Sequence, residues 1–593
     1  MTSSGQGNGV LPIVVELGLT AIAFTVSLGW PSFGSSFFTR IEPSFKSLAR
    51  KPGWAVAIVG MAGLLFRLAI LPVCPIPNPS VPDDFSFLLS ADTFSHGRLV
   101  NQTPAMWTHF ESIHITMQPT YMSIYFPAQG LVLAAGKVLL GNPWYGLLIT
   151  NALMCAAICW MLQAWLPPTW AFLGGALAVM HLGLFSYWIN TYHAGAIAAL
   201  GGALVLGSMP RLMKSASVLH GVLMVIGIVI LALSRPFEGL LLCLPVLLAL
   251  GRWMVSPRNR TAPGLIMRRA AFPVVLFIGA VAWLGYYDYR AFGSPLTLPY
   301  TVGRATYATA PYFIWQKPRP EPAYRHAVMR DYYRDTESKI SQESRSPSGY
   351  LYMKLRLAYL AVFFFTGAAL VPPLFIVRHV FMDRRIRFLV LCVLVLMGGM
   401  AVEIFLLPHY LAPLTAAFYA IGLQAMRHLR LWWFEGKPTG LALVRFMVTI
   451  CVVMTGLRLF AGPLHLALPE YPPAAWNFTW YGPDHFGTER VHVEKSLSQL
   501  PGNHLAIVRY SSIHNPWNEW VYNSAEIDTS KIIWAREMDV ADNLELTRYY
   551  RDRKVWLVEP DVTPARITEY PKGDKTAGDR RFQELPNGVG SRP

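Results

Sequence analysis

Charged side chains are scarce in this sequence. Asp, Glu, Lys and Arg together make up 14% of its 593 residues, about half the share of a soluble protein. Hydrophobic residues make up 53% and aromatics 13%, far more apolar surface than a disordered chain carries. No repeat of the collagen or coiled-coil kind runs through it, which excludes a rod. A polytopic membrane protein is the class that remains.

Cysteine is nearly absent too. Cys74, Cys155, Cys159, Cys243, Cys392 and Cys451 all fall in or beside apolar runs, none forms a CxxC pair, and none lies beyond residue 461. That excludes a disulfide framework and a zinc ribbon. Cys155 and Cys159 share a helix face as packed thiols. There is no P-loop, no GxGxxG after a strand and no GxSxG, so nucleotide-driven and serine-nucleophile chemistry have no support. The first residues lack a basic start and a small-residue cleavage site, which predicts a retained span in place of a signal peptide.

Positive charge is what the chain has in excess, +16 net. Residues 462–593 nevertheless hold 15 Lys/Arg against 18 Asp/Glu. The excess sits in short loops between apolar runs, the pattern of cytoplasmic loops. No basic stripe interleaved with aromatics is present, so no nucleic-acid partner is expected.

Apolar windows of roughly 17–25 residues are long enough to cross a bilayer. They predict twelve spans, at about 10–30, 54–73, 143–165, 168–188, 191–209, 217–234, 236–251, 270–289, 355–377, 386–403, 408–426 and 441–461. Every second loop is basic: Arg40 to Lys51, Arg211 and Lys214, Arg252 to Arg269, Arg378 to Arg387, and Arg427 to Lys437. Both termini are then external, with outer segments 74–142, 290–354 and 462–593. The run 121–140 would invert that charge pattern if it crossed, and is expected to lie in the outer interface as an amphipathic helix. Past 462 the pattern changes. His504–Tyr510, Lys531–Arg536 and Val555–Val558 alternate as strands and Leu544–Arg553 reads as a helix, with Pro571–Pro593 disordered. The predicted fold is an all-α polytopic membrane protein of about twelve transmembrane helices with a small C-terminal α/β extracytoplasmic domain. Its parts are an extra N-terminal span and cytoplasmic loop (1–53), a transmembrane domain (54–461) and the external domain (462–593).

The first outer segment opens with Pro82-Asp83-Asp84-Phe85. Adjacent carboxylates in a poorly hydrated cleft cannot both be ionised comfortably, and one so placed can serve as a general base or a metal ligand. They would equally cap the helix that follows, which ends at Gly97. Next come a polar stretch, Gln118-Pro119-Thr120-Tyr121, the interfacial helix and Gly141.

This order resembles the first outer loop of the GT-C superfamily of polyprenyl-phosphate-sugar-dependent glycosyltransferases, in particular the branch of protein O-mannosyltransferases and the lipid A aminoarabinose transferase. The resemblance covers residues 54–290, and it implies that Asp83 is the catalytic base with Asp84 its neighbour. Where that branch often has Lys-Pro-Pro, this chain has Gln118-Pro119-Thr120, so a phosphate-binding lysine is missing there; the first span is extra.

His109, Glu111 and His114 are suitable ligands for a divalent metal ion, the one cofactor the residues suggest, although their spacing is not HExxH; ordinary loop packing is the competing reading. Thr191-Tyr192-His193, Arg235-Pro236-Phe237-Glu238 and Pro408-His409-Tyr410 fall at outer span ends, where cations can hold a departing phosphate. An Arg235–Glu238 salt bridge and plain helix-end residues are the structural alternatives. The resemblance, with its Arg or His at the start of a late span, favours His409. The loop 290–354 is basic and Tyr-rich, suited to cover sugar and phosphate through Arg304 or His326, or to anchor at the lipid surface.

Taken together, the expected activity is inverting transfer of a sugar from a polyprenyl-phosphate-linked donor in the membrane lipid to a hydroxyl of a glycan, lipid or protein acceptor. The expected location is the outer face of a bacterial inner membrane. A twelve-span transporter or flippase of a lipid-linked sugar is the alternative, supported by span number and opposed by the missing internal repeat. A catalytically silent scaffold is a third.

Overall fold

A computed structural model describes residues 11–256, 261–365, 367, 382–384, 386–460 and 487–571. The chain is mainly helical. Proline opens many of the helices, where its missing N–H costs nothing and its fixed φ suits the first turn. Among the described residues six helices are long and apolar enough to cross a membrane: α3 (Pro52–Ala69), α6 (Pro143–Trp165), α9 (Gly195–Ser215), α11 (Pro236–Met254), α12 (Pro263–Phe292) and Thr439–Phe460. The chain is an integral membrane protein.

The other six predicted spans are shorter or interrupted. α1 (Leu11–Gly29), α10 (Val218–Ala232) and Arg387–Val402 are apolar helices at their expected places. The window 168–188 is broken into α7 (Pro168–Ala178), a π-helical turn Val179–Gly183 and, after a gap, the short α8 (Tyr187–Asn190). The window 408–426 opens as a 3₁₀ segment, Pro408–Leu414, before Thr415–Leu429 becomes α-helical. Two prolines six residues or fewer apart leave no regular α ladder there. Pro347–Phe365 begins earlier than the predicted ninth span, whose end lies outside the described residues, as does the predicted disorder beyond Pro571. The predicted first cytoplasmic loop contains α2 (Ser35–Ala49), with the glycine Gly34 at φ 69° ahead of it.

α6 and α9 form the centre. α6 packs against α3, α5 (Pro127–Leu140), α7 and α9, and α9 against α10 and the Pro408–Leu414 segment. Fully buried Arg67 of α3 donates to the carbonyls of Cys74 (2.8 Å) and Pro75 (3.2 Å) and to Asn190 Oδ1 (3.0 Å). It thus fixes the chain leading to the acidic pair against the end of α8.

Residues 74–142 fold into α4 (Pro82–Ser95) and α5, with a two-stranded ribbon between them, β1 (Ile115–Thr116) and β2 (Met122–Ser123). α4 and α5 lie so close that a Cβ on Gly130 would meet Ser90 Cβ at 2.4 Å.

The C-terminal sheet has the order β4-β3-β5-β6, from β3 (His504–Val508), β4 (Ile532–Arg536), β5 (Lys554–Glu559) and β6 (Arg566–Glu569). β3 runs parallel to both neighbours and β6 antiparallel to β5. The helix predicted at 544–553 is Val540–Tyr549. A parallel sheet needs both faces covered, and strand alternation shows how. Ala506, Val508 and Trp534 face Val493 and Leu497 of the helix Thr488–Gln499. Leu505, Ile507, Ile533 and Ala535 face the other way and share one core with Phe85, Leu89, Phe110, Ile115, Met117 and Tyr121 of the first outer segment. The two segments, remote in sequence, bury each other.

Candidate active site

Pro82 stands at the start of α4, so Asp83 and Asp84 occupy its first turn, where the helix dipole favours carboxylates. Neighbours on a helix point about 100° apart, and the two acids have separate surroundings. Asp84 is fully buried. Its Oδ1 accepts from the Tyr192 N–H (2.9 Å) and its Oδ2 from the Ser80 N–H (3.1 Å). It ties the entrance of α4 to the chain ahead of α9.

Asp83 faces a cluster of rings. The Tyr125 hydroxyl donates to its Oδ1 at 2.5 Å, His114 Nδ1 lies 3.5 Å from its Oδ2, and His193 Nε2 lies 3.9 Å from Oδ1. Burial alone would raise its pKa; the charges of His114 and His193 and the hydrogen bonds from His114 and Tyr125 outweigh that and hold it well below the usual carboxylate range. Burial, with the Asp83 charge beside it, pushes the Tyr125 hydroxyl well above the usual phenol value, so it remains a donor.

His114 is the hub. Its Nδ1 is 3.0 Å from the Tyr125 hydroxyl and its Nε2 3.0 Å from the Tyr332 hydroxyl. The residue has φ 63°, a left-handed conformation that an L side chain adopts only when its surroundings enforce it. Here the Ser86 hydroxyl (2.7 Å) and the Ile124 N–H (3.2 Å) both donate to its carbonyl, and its own N–H donates to the Tyr333 hydroxyl (3.3 Å).

Three span ends reach the same cluster. His193 Nδ1 is 3.3 Å from Asp84 Oδ1, so this imidazole bridges both acids. The ring of His193 is 5.5 Å from that of His409, whose Nδ1 is 2.9 Å from the Tyr187 hydroxyl. Arg235 lies over the Tyr410 ring at 4.4 Å and 3.4 Å from Glu238. Asp83, His193, His409, Tyr410 and Arg235, spread over more than half of the sequence, therefore form one continuous group. Tyr125, Tyr187 and Tyr332 were not distinguishable from the many other tyrosines by sequence pattern.

Other candidates are placed differently. Arg304 donates to Glu337 at 3.3 and 3.1 Å and to the Ala310 carbonyl at 2.7 Å. Its guanidinium fork takes part in a buried ion pair, without which a lone buried carboxylate at Glu337 would be costly. His109, Glu111 and His114 do not converge. His109 Nδ1 is 3.0 Å from the Arg536 carbonyl, Glu111 accepts from the Tyr307 hydroxyl (3.0 Å) and pairs with Arg325 (3.3 Å), and His114 serves Asp83. Among the described residues no group of three or more His, Cys, Asp or Glu side chains could hold a metal ion, so this trio does not fit one. His326 donates to the Thr108 carbonyl at 2.7 Å, and burial, with Arg536 nearby, pushes it down to about 3.

An acid at the start of α4, faced by basic and phenolic side chains, defines a buried polar site. No protein-family profile matches the sequence, and no curated protein is recognisably similar to it. By fold the chain is similar to the oligosaccharyltransferase of Archaeoglobus fulgidus in a complex tethered with an acceptor peptide (9% identity, 85% of this chain, 68% of that one, TM-score 0.45). It is similar also to ArnT from Cupriavidus metallidurans (11% identity, 86% of this chain, 93% of that one, TM-score 0.45).

Proposed function

We propose that the chain is an inverting glycosyltransferase that takes a sugar from a polyprenyl-phosphate-linked donor at the outer face of a bacterial inner membrane. The convergence of Asp83 with His193, His409 and Arg235 carries this reading: one ionised carboxylate faces a set of groups able to hold a phosphate. Positive-inside loops put that group on the outer side, with twelve spans and an external C-terminal domain.

The acceptor hydroxyl would hydrogen-bond to Asp83, and its oxygen would attack the anomeric carbon. The bond from that carbon to the phosphate oxygen breaks, its electron pair leaves with the lipid phosphate, and the hydroxyl proton passes to Asp83. A carboxylate held so acidic takes the proton late, after attack has made the hydroxyl acidic. Arg235, His409 and His193 would meet the charge that grows on the phosphate, in a setting of low dielectric that strengthens each contact. The tyrosines suit sugar hydroxyls and ring faces. Purified protein incubated with a panel of polyprenyl-phosphate sugars should release free lipid phosphate from at least one; release from none would overturn the assignment.

A further inference from the structure

Among the residues through which the C-terminal domain meets the acid-bearing helix, Tyr522 contacts it close to the acids in sequence. Its ring stacks on Phe85, directly after Asp84, with centroids 4.3 Å apart and planes 4° from parallel. Its hydroxyl donates to the carbonyl of Ile113, directly before His114, at 3.1 Å. Tyr522 thus touches Phe85, two residues after Asp83, and Ile113, directly before His114, while lying outside the catalytic cluster. Arg490 joins the stacked ring of Phe85 to the backbone of Tyr522. Arg490 lies over Phe85 at 4.9 Å and over Trp534 at 4.6 Å, and donates to the carbonyls of Tyr522 and Trp520, both at 3.0 Å.

Further contacts fix the same two stretches. Arg536 Nε donates to the Glu111 carbonyl at 2.6 Å, and the Ser112 hydroxyl donates to the Val521 carbonyl. At the far end of α4, Asp92 accepts from the Ala525 N–H at 2.7 Å and Arg98 pairs with Glu526 at 2.7 Å. His114 is held at φ 63° within this framework, so the distance from its ring to Asp83 depends on where the 109–114 stretch is anchored.

We infer that the C-terminal domain works as a positioning element of the active site and that Tyr522 is the positioning residue that sets Asp83 against His114. The catalytic part of this inference rests on the transferase reading. Its geometric part does not.

The test uses the full chain in lipid nanodiscs, with Tyr522→Phe, which keeps the stack and loses the hydroxyl, and Tyr522→Leu, which loses both. Amide hydrogen exchange should rise in residues 109–116 in both variants and in 82–95 in Tyr522→Leu, while the membrane helices stay as protected as before. Turnover per folded molecule should fall by about 10-fold or more in Tyr522→Leu, towards the 10²-fold cost of a 1 Å misplacement, with the donor KM unchanged. Tyr522→Phe should recover most of it. Unchanged exchange in both variants would overturn the inference whatever the activity. Raised exchange with wild-type turnover would overturn the catalytic part. If the wild type itself turns over no donor, the transferase reading fails and the exchange data alone decide the positioning.

Discussion

His114 Nδ1 stands 3.5 Å from Asp83 Oδ2, and a Tyr125 hydroxyl links the two. The sequence presents His114 as a metal ligand beside His109; the fold makes it the partner of the acid. Asp83 lies well below the usual carboxylate value in spite of its burial because His114 and His193 favour the charged form. Its stabilising effect on the fold is therefore present above the unfolded Asp value, near 3.9, and is lost as pH falls through the lower folded one. His114→Gln removes the largest of the lowering influences and leaves burial less opposed. The acidic limb of the activity profile should move up by about 1 unit or more, measurable as initial rate against pH.

Asp84 has another task. It is the only described acceptor for the Tyr192 N–H and the Ser80 N–H among the side-chain contacts described. Asp84→Ala strands buried donors at about 1–3 kcal/mol each, and thermal unfolding should shift to lower temperature. Asp83→Asn strands no such pair of backbone groups and loses only the carboxylate's pairing with His114 and His193, so its midpoint should fall less than that of Asp84→Ala.

Arg235 and Glu238 separate phosphate capture from scaffolding. Loss of a charged partner to the phosphate should weaken donor binding by roughly 1.5–3 kcal/mol. Arg235→Ala should raise the donor KM and slow turnover while leaving the acceptor KM nearly unchanged. If the 3.4 Å Arg235–Glu238 contact is all that matters, Glu238→Ala will be equally damaging and both will lower thermal stability at unaltered donor KM.

Acid should loosen the outer segments through His326. Its folded pKa of about 3 lies below the unfolded His value, near 6.5, so the unfolded chain binds more protons in between. Stability is full above that unfolded value and should fall by up to about 1.4 kcal/mol per pH unit below it. His326→Gln, which can still donate to the Thr108 carbonyl, should flatten the dependence of the melting temperature on pH between 4 and 6.5.

Local signals in the sequence were read faithfully. α4 (Pro82–Ser95) and the strands at 504, 532 and 554 stand within a few residues of their predicted places, while the helix expected over 121–140 begins at Pro127; each is set by caps, turns and periodicity in its own neighbourhood. What hydropathy could not see was irregularity inside apolar runs. The π turn at Val179–Gly183 and the 3₁₀ opening at Pro408–Leu414 lie inside windows whose overall apolar character reads as continuous helix. α2 was hidden by its charges and by Pro43. At the site, the acids and the three span-end groups are legible as residue types, whereas the pairing of Arg304 with Glu337 is not, because the two are remote in sequence. Nor does alternation in β3 reveal that Leu505 and Ile507 would be covered by Phe85 and Phe110.

Asp83 is the residue on which the whole account turns. In lipid-phosphate release by purified protein, with binding of the same polyprenyl-phosphate sugar measured separately, Asp83→Asn should lower turnover by about 10²–10⁴-fold at nearly unchanged donor affinity. Wild-type turnover in Asp83→Asn would contradict the account.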